Sequence, residues 1–469
     1  MFYTRSRLTN LIFHKVSLFS KLCYFVKFSS KPHFIPKQQH IFKQTDIYIM
    51  YKENLGDKSF KIKNVAQLIS FKSMITNELL EIKQIFHDNN FQLKVAGGAV
   101  RDLLVSNSTP HDLDFATTAT PAEMVEMFNK LNIRMFNFNG EKHGTVTIRY
   151  KEKNYEITTL RIDRLTDGRH AKVEFITDWY YDALRRDLTV NSLFLDFDGN
   201  IHDYFNGIQD IEDKNIQFVG NPNSRIQEDY LRIFRYFRFF YRLCDGENHN
   251  KESIEAINDN RSGIERVSGE RIYREIKLIL SGKRWTDCLI KMHECELFKY
   301  IGLPNVNLSH FKKVSKTLPS NKIMEITKLV CLFDSIDQVE IFRNRCKISN
   351  FEYKLLCFII ESKLTFFQVP EETQIKIAKN YLVDDSNETS RKMIQQTLLF
   401  YGNTQIHIID EWKIPKFPVT GTMLLNKNVK KGPFVKSALD ELKKIWKDEN
   451  FLSTSDKLLQ QLNPQYIIK

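Results

Sequence analysis

Cysteine is scarce and scattered in this chain of 469 residues. The seven cysteines are odd in number and never form a CxxC pair. Secreted disulfide frameworks use even sets of cysteines, and the common zinc sites use closely spaced pairs, so the pattern argues against both kinds of protein. It predicts free, buried thiols in a reducing compartment.

Long apolar runs are also missing. Lysines interrupt the apolar stretches at Leu11–Phe13 and Cys23–Val26, whereas a membrane-spanning helix needs roughly 20 consecutive apolar residues. We therefore expect no membrane span. The 42% of hydrophobic residues is nevertheless enough apolar surface for two or more globular domains.

Acidic residues are absent from Met1 to Thr45. Eight basic residues recur there among serine, phenylalanine and leucine: Arg5, Arg7, Lys15, Lys21, Lys27, Lys31, Lys37 and Lys43. This composition is typical of a mitochondrial transit peptide, which we assign to residues 1–49. A basic tail that binds RNA is the alternative. Met50 offers a second start, giving a nuclear or cytosolic form without the leader.

The whole chain carries a formal charge of +12. An excess of this size suits a polyanionic partner, either a nucleic acid or an anionic membrane surface. Charge alone does not choose between the two.

Hydrophobic periodicity divides the chain into a mixed part and a helical part, an α+β organisation. A helix pair is expected between Phe60 and His87. Strands are then predicted at Phe91–Val95, Asp112–Phe115, Thr145–Tyr150, Tyr155–Arg161 and Leu193–Phe197, with helices at Pro121–Leu131 and Trp179–Arg185. Beyond about Gly220 the strand signals fade, and helices are predicted at Gln227–Leu243, Gly269–Leu280, Trp285–His293, Phe351–Ser362 and Val435–Lys447.

A glycine pair follows the first of these strands and opens a helical segment. Gly97 and Gly98 allow backbone amides to approach a phosphate closely, and a helix N-terminus favours an anion. Arg101 is then placed to bind a triphosphate oxygen. Taken alone, such a turn is usually structural.

Two aspartates come next. Residues two apart on a strand point the same way, so Asp112 and Asp114 are expected to face one site beside the glycine turn. Two carboxylates so close call for a cation, and Mg²⁺ takes oxygen ligands and bridges carboxylates to nucleotide phosphates. An isolated Asp-x-Asp is usually a solvated loop, but its combination with the glycine pair and Arg101 is much rarer.

An arginine-rich segment precedes the last predicted strand. Arg185 and Arg186 offer guanidinium groups that bind phosphate in bidentate fashion. Asp187 and Asn191 are suited to hold a ribose or to orient these arginines. In isolation, a surface ion-pair cluster is the simpler interpretation.

The first helix of the helical part carries a regular row of charges. If Gln227–Leu243 is one helix, Asp229 and Arg232 are neighbours on one face, and Arg235 and Arg238 follow at the same interval. An acceptor beside a fixed fork of donors matches the exocyclic amine and ring nitrogen that cytosine and adenine share. Ordinary salt bridging on an amphipathic helix remains the alternative.

Together these residues resemble the eukaryotic-type, class II tRNA nucleotidyltransferases, the CCA-adding enzymes. The resemblance runs from about Val95 to Leu280, through GGAVRDLL, DLDFATTATP, EKHGTVTI, YEITTLRID, TDGRHAKVEF, RRDLTVNS, DYFNGIQDI and EDYLRIFRYFRF. It implies a polymerase-β-like head with a small mixed sheet, followed by all-helical neck, body and tail domains. We place these at residues 50–219, 220–284, 285–400 and 401–469, with the lysine-rich stretch Lys427–Lys447 near the tRNA acceptor arm.

The resemblance also implies roles for the motif residues. Asp112 and Asp114 are the expected catalytic, Mg²⁺-binding pair, and Asp229 with Arg232 is the expected protein template that selects C or A. The full set of predicted nucleotide-binding residues is Gly97, Gly98, Arg101, Arg185, Arg186, Asp187, Asn191, Asp229, Arg232, Arg235 and Arg238. The expected partners are tRNA, CTP and ATP, with no membrane.

Several alternatives stay open at this point. An A-adding enzyme or a bacterial-type poly(A) polymerase shares the superfamily, and a catalytically silent RNA-binding protein shares the fold. Glu156 is a candidate third carboxylate, although an edge-strand glutamate is the commoner explanation, and His143 is expected to order a loop. The chain is either a monomer or a homodimer.

Overall fold

The computed structural model describes residues 60–468, except for residues 107, 111, 137–139, 141–142, 167–170, 305, 307 and 319–321. The predicted leader at residues 1–49 and the second start at Met50 lie outside the described residues.

Ten strands form the β part of the described residues. They are β1 (Lys61–Asn64), β2 (Leu93–Ala96), β3 (Asp114–Thr117), β4 (Arg134–Phe136), β5 (Thr145–Tyr150), β6 (Lys153–Thr159), β7 (Arg161–Thr166), β8 (Ala171–Phe175), β9 (Phe194–Leu195) and β10 (Asn200–Asp203). Eight of them make one sheet in the order β1-β10-β9-β2-β3-β6-β5-β4, and β7 pairs with β8 in a separate ribbon. Within the large sheet only β3 and β6 run parallel, so the mixed sheet predicted for the head is confirmed.

Six helices accompany these strands. They are α1 (Ile69–Met74), α2 (Asn77–Asp88), α3 (Gly98–Ser106), α4 (Pro121–Lys130), α5 (Trp179–Leu184) and α6 (Gly207–Glu212). Local chemistry explains the start of α4: Thr120 and Glu123 form a reciprocal capping box, and Pro121 occupies the first turn, where its missing N–H costs nothing. The helix pair predicted before the glycine motif is also confirmed, as α1 and α2.

The rest of the described chain is helical. The longer helices are α7 (Pro222–Glu228), α8 (Arg232–Leu243), α9 (Lys251–Asn260), α10 (Gly269–Leu280), α11 (Trp285–Glu294), α13 (Leu308–Thr317), α15 (Ile336–Cys346), α16 (Asn350–Glu361), α18 (Glu371–Asp384), α19 (Glu388–Phe400) and α22 (Pro433–Asp448). Shorter ones are α12 (Phe298–Ile301), α14 (Glu325–Lys328), α17 (Lys363–Phe366), α20 (His407–Glu411), α21 (Gly421–Asn426) and α23 (Ser455–Gln460).

One apolar cluster runs from the sheet into the helical part. Val95 of β2, Phe115 of β3 and the α8 residues Phe234 and Phe237 all belong to it, and each is at most 2% exposed. This shared core packs α8 against the head. A separate cluster of buried residues lies between Val419 and Leu462, and the predicted domain boundaries themselves remain predictions.

The sequence did not indicate β1, β4, β7, β8 or β10. All four residues of β1 are exposed and β4 has only three residues, so neither carries the alternation that marks a half-buried strand. The six cysteines within the described part of the chain are free, and four are buried, as predicted. No helix of that part is long and apolar enough to cross a membrane.

Candidate active site

At the glycine turn, the backbone of Gly97 lies close to the side chain of Arg186. Gly97 has φ +62°, and a Cβ there would lie 2.7 Å from Nη1 of Arg186. A side chain would therefore be strained and would displace the guanidinium. Helix α3 begins at Gly98, in agreement with the predicted turn into a helix.

Asp112 and Asp114 line one cavity of about 760 Å³. Asp114 is the first residue of β3, whereas Asp112 lies in a bend before it. The prediction that both sit on one strand is thus wrong in detail, because pairing with the neighbouring strands begins only at residue 114, but both still face the same space.

Glu156 lines this cavity too. It lies on β6 directly opposite Asp114 in the parallel register. Within the described part of the chain, however, no group of three or more potential ligands is close enough to hold a metal ion. A third ligand at Glu156 therefore stays a prediction.

Burial raises the pKa of Asp114, and the nearby charge of Asp112 raises it further, while Arg186 opposes the shift. Both effects raise the pKa because desolvation and a neighbouring negative charge disfavour the ionised carboxylate. Since Arg186 acts on Asp114, the arginine-rich segment lies near the acidic pair.

Asp182 holds that segment in place. Its two oxygens accept hydrogen bonds from Nε of Arg185 at 2.8 Å and from Nη2 of Arg186 at 3.1 Å, and its side chain is only 1% exposed. Arg186 also donates to the carbonyl of Asn191 and lies over the ring of Phe194, 4.7 Å from its centroid. Asp182 was not predicted from the sequence, although its position three and four residues before Arg185 and Arg186 was a signal.

Asn191 connects the two arginine-bearing elements. Its Oδ1 accepts from Nη1 of Arg101, and its Nδ2 donates to Asp187. Asp187 in turn accepts from Nε of Arg235 on α8. Arg101 is 4% exposed, so the structure makes it part of this buried network rather than an open clamp.

The charge state of Asp187 follows from the same contacts. Burial alone would raise its pKa, but the charge of Arg235 and hydrogen bonds from Arg235 and Asn191 hold the pKa well below the usual range. The carboxylate therefore stays ionised at neutral pH.

The prediction of one continuous helix at Gln227–Leu243 is wrong, because the helical conformation is interrupted at Asp229. Helix α7 ends at Glu228, Asp229 is extended (φ −154°, ψ 104°), and α8 begins at Arg232. The Oδ1 of Asp229 accepts from the N–H of Leu231, a local bond by which aspartate favours helix starts over helix interiors.

Asp229 and Arg232 consequently do not share a helix face, and each has its own partners. Nη2 of Arg271 on α10 donates to Oδ2 of Asp229 at 2.7 Å. Arg232 donates to Glu228 at 2.7 Å and to the carbonyl of Arg185 at 3.1 Å. The second contact joins the start of α8 to the arginine-rich segment.

Three arginine side chains pack around the ring of Phe239. The guanidinium carbons of Arg101, Arg235 and Arg238 lie 4.5, 5.6 and 4.4 Å from its ring centroid, distances at which an aromatic face attracts a cation. Glu275 of α10 pairs with Arg238 at 2.9 Å. Glu275 and Arg271 were not identified from the sequence, since no local pattern links them to the motifs. Phe239 is the last residue of EDYLRIFRYFRF, but no role was predicted for it.

The structure thus joins Arg186, Asn191 and Asp187 to α8 in one hydrogen-bonded network, and Arg186 acts electrostatically on Asp114 of the acidic pair. His143 lies apart from these contacts, and its carbonyl accepts a hydrogen bond from Arg161. Its expected role in a loop stays a prediction.

Two segments of the chain match models of known protein families. Residues 93–217 match the model of the poly A polymerase head domain. Residues 250–307 match a model described as a probable RNA and SrmB-binding site of polymerase A.

Individual relatives agree with these matches. The chain is 42% identical to the human CCA tRNA nucleotidyltransferase 1, mitochondrial, over 84% of this chain and 91% of that protein. It is 31% identical to the CCA-adding enzyme of Lactococcus lactis, over 77% and 90%. The fold resembles the Bacillus stearothermophilus CCA-adding enzyme crystallised with CTP, with a TM-score of 0.64 and 24% identity over 81% of this chain and 94% of that one. The chain therefore belongs to the CCA tRNA nucleotidyltransferases, a family of enzymes.

Proposed function

We propose that this enzyme adds C, C and A in turn to the 3′ end of tRNA, using CTP and ATP without a nucleic-acid template. The 3′-hydroxyl of the RNA attacks the α-phosphorus of the bound nucleotide. One phosphorus–oxygen bond forms, the bond to the β-phosphate breaks, pyrophosphate leaves, and the hydroxyl proton is lost to solvent.

One observation carries the proposal. The carboxylates of Asp112 and Asp114 face a single cavity, and Arg186 is close enough to Asp114 to affect its pKa. A nucleotide bound against the acidic pair would have two carboxylates for a metal ion and the guanidinium of Arg186 nearby, an arrangement suited to phosphoryl transfer.

The acidic pair fits a divalent cation. Neither carboxylate forms an ion pair with a residue in the described ranges, and burial disfavours the charge on Asp114, so an added positive charge is favourable there. We assign Mg²⁺ to these two oxygen donors. When bound, it would supply charge stabilisation for the attacking and leaving oxygens.

The chain's own groups position the triphosphate. The first N–H groups of α3, after Gly97, have no acceptor inside the helix and can donate to phosphate oxygens. Arg186 presents a guanidinium that is 17% exposed. Arg101 is buried, and its hydrogen bond to Asn191 keeps the segment that carries Arg186 in position.

Base selection is assigned to Asp229 and Arg232. Their partners in this structure, Arg271 and Glu228, occupy the atoms that a base edge would use. A cytosine or adenine amine would compete with Arg271 for Oδ2 of Asp229, and a ring nitrogen would compete with Glu228 for Arg232. Uracil and guanine present the reverse donor and acceptor pattern at these positions and are rejected.

The leader composition and the mitochondrial relatives support a mitochondrial location, with residues 1–49 as the transit peptide. A form that starts at Met50 would lack this address and would serve the nucleus or cytosol.

The test supplies the purified full chain with tRNA lacking its CCA end and each labelled triphosphate separately, then CTP with ATP. We expect two C residues with CTP alone and one further A when ATP is added, with a requirement for Mg²⁺. Incorporation of A alone would favour an A-adding enzyme, and a long A tract would favour a poly(A) polymerase. No incorporation of any nucleotide would favour the catalytically silent RNA-binding protein.

A further inference from the structure

The cavity beside the acidic pair extends away from the predicted nucleotide-binding residues. Besides Asp112 and Asp114, its lining comes from side chains within residues 73–79 around the connection between α1 and α2, from residues 109–110, and from residues 153–156 on β6. No residue of the predicted nucleotide-binding set is among its described lining residues. The acidic pair therefore borders a space that the proposed triphosphate-binding elements do not enclose.

The strand order accounts for this separation. Strand β3 lies between β2 and β6 in the sheet. It runs antiparallel to β2, which leads into the glycine turn, and parallel to β6, where Glu156 lies opposite Asp114. The start of β3 thus has the glycine turn and α3 on one side and the cavity on the other.

In-line attack assigns different ligands to these two sides. In phosphoryl transfer, the attacking and leaving oxygens lie roughly in line through the phosphorus. In the proposed function, α3 and Arg186 hold the triphosphate, so pyrophosphate leaves on the β2 side. The attacking hydroxyl then approaches from the β6 side, through the cavity. The cavity volume of about 760 Å³ is within the range of sites that enclose small ligands.

Lys153 is the only cationic side chain among the described residues that line this cavity. It is exposed, and no ion pair joins it to a carboxylate in the described ranges. Hydrogen bonds from Thr76 and from the Glu78 backbone lower the pKa of Glu78, and the charge of Lys153 lowers it further. The ammonium group therefore lies near the start of α2, where Thr76 also lines the cavity.

The acidic lining favours a ligand of low charge that Lys153 can neutralise. Three carboxylates, those of Asp112, Asp114 and Glu156, line the cavity. A phosphodiester beside them is repelled unless a positive charge lies next to it, and lysine supplies such a charge to phosphates. A triphosphate carries several negative charges and is disfavoured by three carboxylates against one lysine. A strand end with one phosphate charge per nucleotide fits better.

We propose that this cavity holds the terminal nucleotide of the acceptor RNA and that Lys153 binds the phosphate on the 5′ side of that nucleotide. The inference rests on the proposed function, because it names the acceptor compartment of the same site. It also gives a part in substrate binding to the connection between α1 and α2, which precedes both family-matched segments, residues 93–217 and 250–307. Ser73, in the last turn of α1, is exposed at this cavity.

Substitutions of Lys153 and Ser73 test the cavity without touching the acidic pair. Lys153→Gln removes the charge, Lys153→Arg keeps it, and Ser73→Glu adds a carboxylate from α1. Lys61→Gln and Thr365→Glu are the matched controls, because Lys61 of β1 and Thr365 of α17 are exposed and do not line the cavity. Circular dichroism melts report whether each variant is folded.

Steady-state kinetics separate the acceptor from the triphosphate. We expect Lys153→Gln and Ser73→Glu each to raise the KM for tRNA lacking CCA at least about fivefold, with the KM for CTP unchanged. Lys153→Arg and the two controls should resemble the wild type. An unchanged KM for tRNA in both folded cavity variants would overturn the proposal. So would a rise confined to the KM for CTP, which would place the triphosphate in the cavity.

A charge deleted from the RNA tests the contact itself. A methylphosphonate replaces the phosphodiester on the 5′ side of the terminal nucleotide, and filter binding measures affinity without any triphosphate. The wild type should bind this RNA at least about fivefold more weakly than the unmodified RNA, whereas Lys153→Gln should bind the two equally, since the partner charge is already gone. An equal loss of affinity in both proteins would contradict the contact.

The binding comparison needs no turnover, so the two proposals fail separately. Failure of the wild type to incorporate nucleotide would count against the proposed function. An active enzyme whose Lys153→Gln variant still responds fully to the methylphosphonate would count against the acceptor compartment alone.

Discussion

Asp187 and Arg235 are joined by a hydrogen-bonded ion pair between the arginine-rich segment and α8. Asp187 is 8% exposed and Arg235 is 34% exposed. The pair links the part of the chain that carries Arg186 to the helix that begins with Arg232. It therefore couples the proposed phosphate site to the proposed base-selecting site.

Asp187→Ala is expected to destabilise the fold by about 3–5 kcal/mol, because Arg235 is left without its buried partner. Urea denaturation measures the free energy of unfolding. Glu126→Ala is the control: it breaks the exposed Glu126–Lys130 pair and should cost below about 1 kcal/mol. Equal losses in the two variants would contradict a buried, structurally important pair.

Asp112→Asn and Asp114→Asn are each expected to lower the rate of incorporation at least about a thousandfold, since the site loses an anionic donor for the cation. Binding of tRNA, measured separately, should stay within about twofold. Near-normal turnover in either variant would show that the metal assignment is wrong.

Glu156→Gln distinguishes two from three carboxylates at the same site. Glu156 faces Asp114 across β3 and β6, but it is not part of a three-ligand group within the described ranges. We expect a rate loss below about tenfold, an effect of local charge alone. A loss as large as that of Asp112→Asn would make Glu156 a metal ligand.

Asp229→Ala should relax base choice and admit UTP or GTP, because the acceptor for the base amine is gone. Arg271→Ala should instead keep the preference for CTP and ATP, since it removes only the residue that pairs with Asp229 in this structure. Competition between labelled CTP and UTP measures the preference. Unchanged selectivity in Asp229→Ala would discard the template role.

Phe239→Leu is expected to raise the KM for CTP severalfold, because three guanidinium groups lose the ring face on which they pack, each contact contributing about 0.5–2 kcal/mol. Phe86→Leu is the matched control, since Phe86 is fully buried and its ring contacts Phe128. Both variants should lose stability, but only Phe239→Leu should change the KM. A similar KM change in both would indicate a general packing effect.

The partly buried imidazole of His249 is expected to make the free energy of unfolding depend on pH. Burial, aided by the charges of Lys291 and Arg284, lowers its pKa from 6.5 to about 4, and its ring stacks on Phe240 with centroids 3.6 Å apart. The unfolded state therefore binds the proton more tightly, and stability falls as pH decreases from 6.5 towards 4. Urea denaturation at several pH values should show a weaker decline for His249→Phe.

The exposed residue His87 gives the comparison for this experiment. Its replacement by Gln should leave the pH dependence of unfolding equal to that of the wild type. An identical decline in His249→Phe and the wild type would show that His249 does not contribute.

Much of the local structure was predictable because nearby residues encode it. The strand Thr145–Tyr150 and the helix Gly269–Leu280 were predicted with their observed bounds, since their apolar periodicity is regular. The motif residues were also singled out from the sequence, because a glycine pair, an arginine and an Asp-x-Asp rarely occur together within so short a stretch.

The interruption of the helix at Asp229 was not predicted, because the apolar periodicity continues across this residue. Two distant partners of the motif residues were likewise not predicted. Arg271 lies 42 residues from Asp229, and Glu275 is on α10 whereas Arg238 is on α8. Contacts over such separations depend on how sheet and helices pack, and no local pattern specifies them. The sequence alone therefore determined the candidate side chains of this site, and only the tertiary structure decided which of them meet, since burial in a shared core sets those pairings.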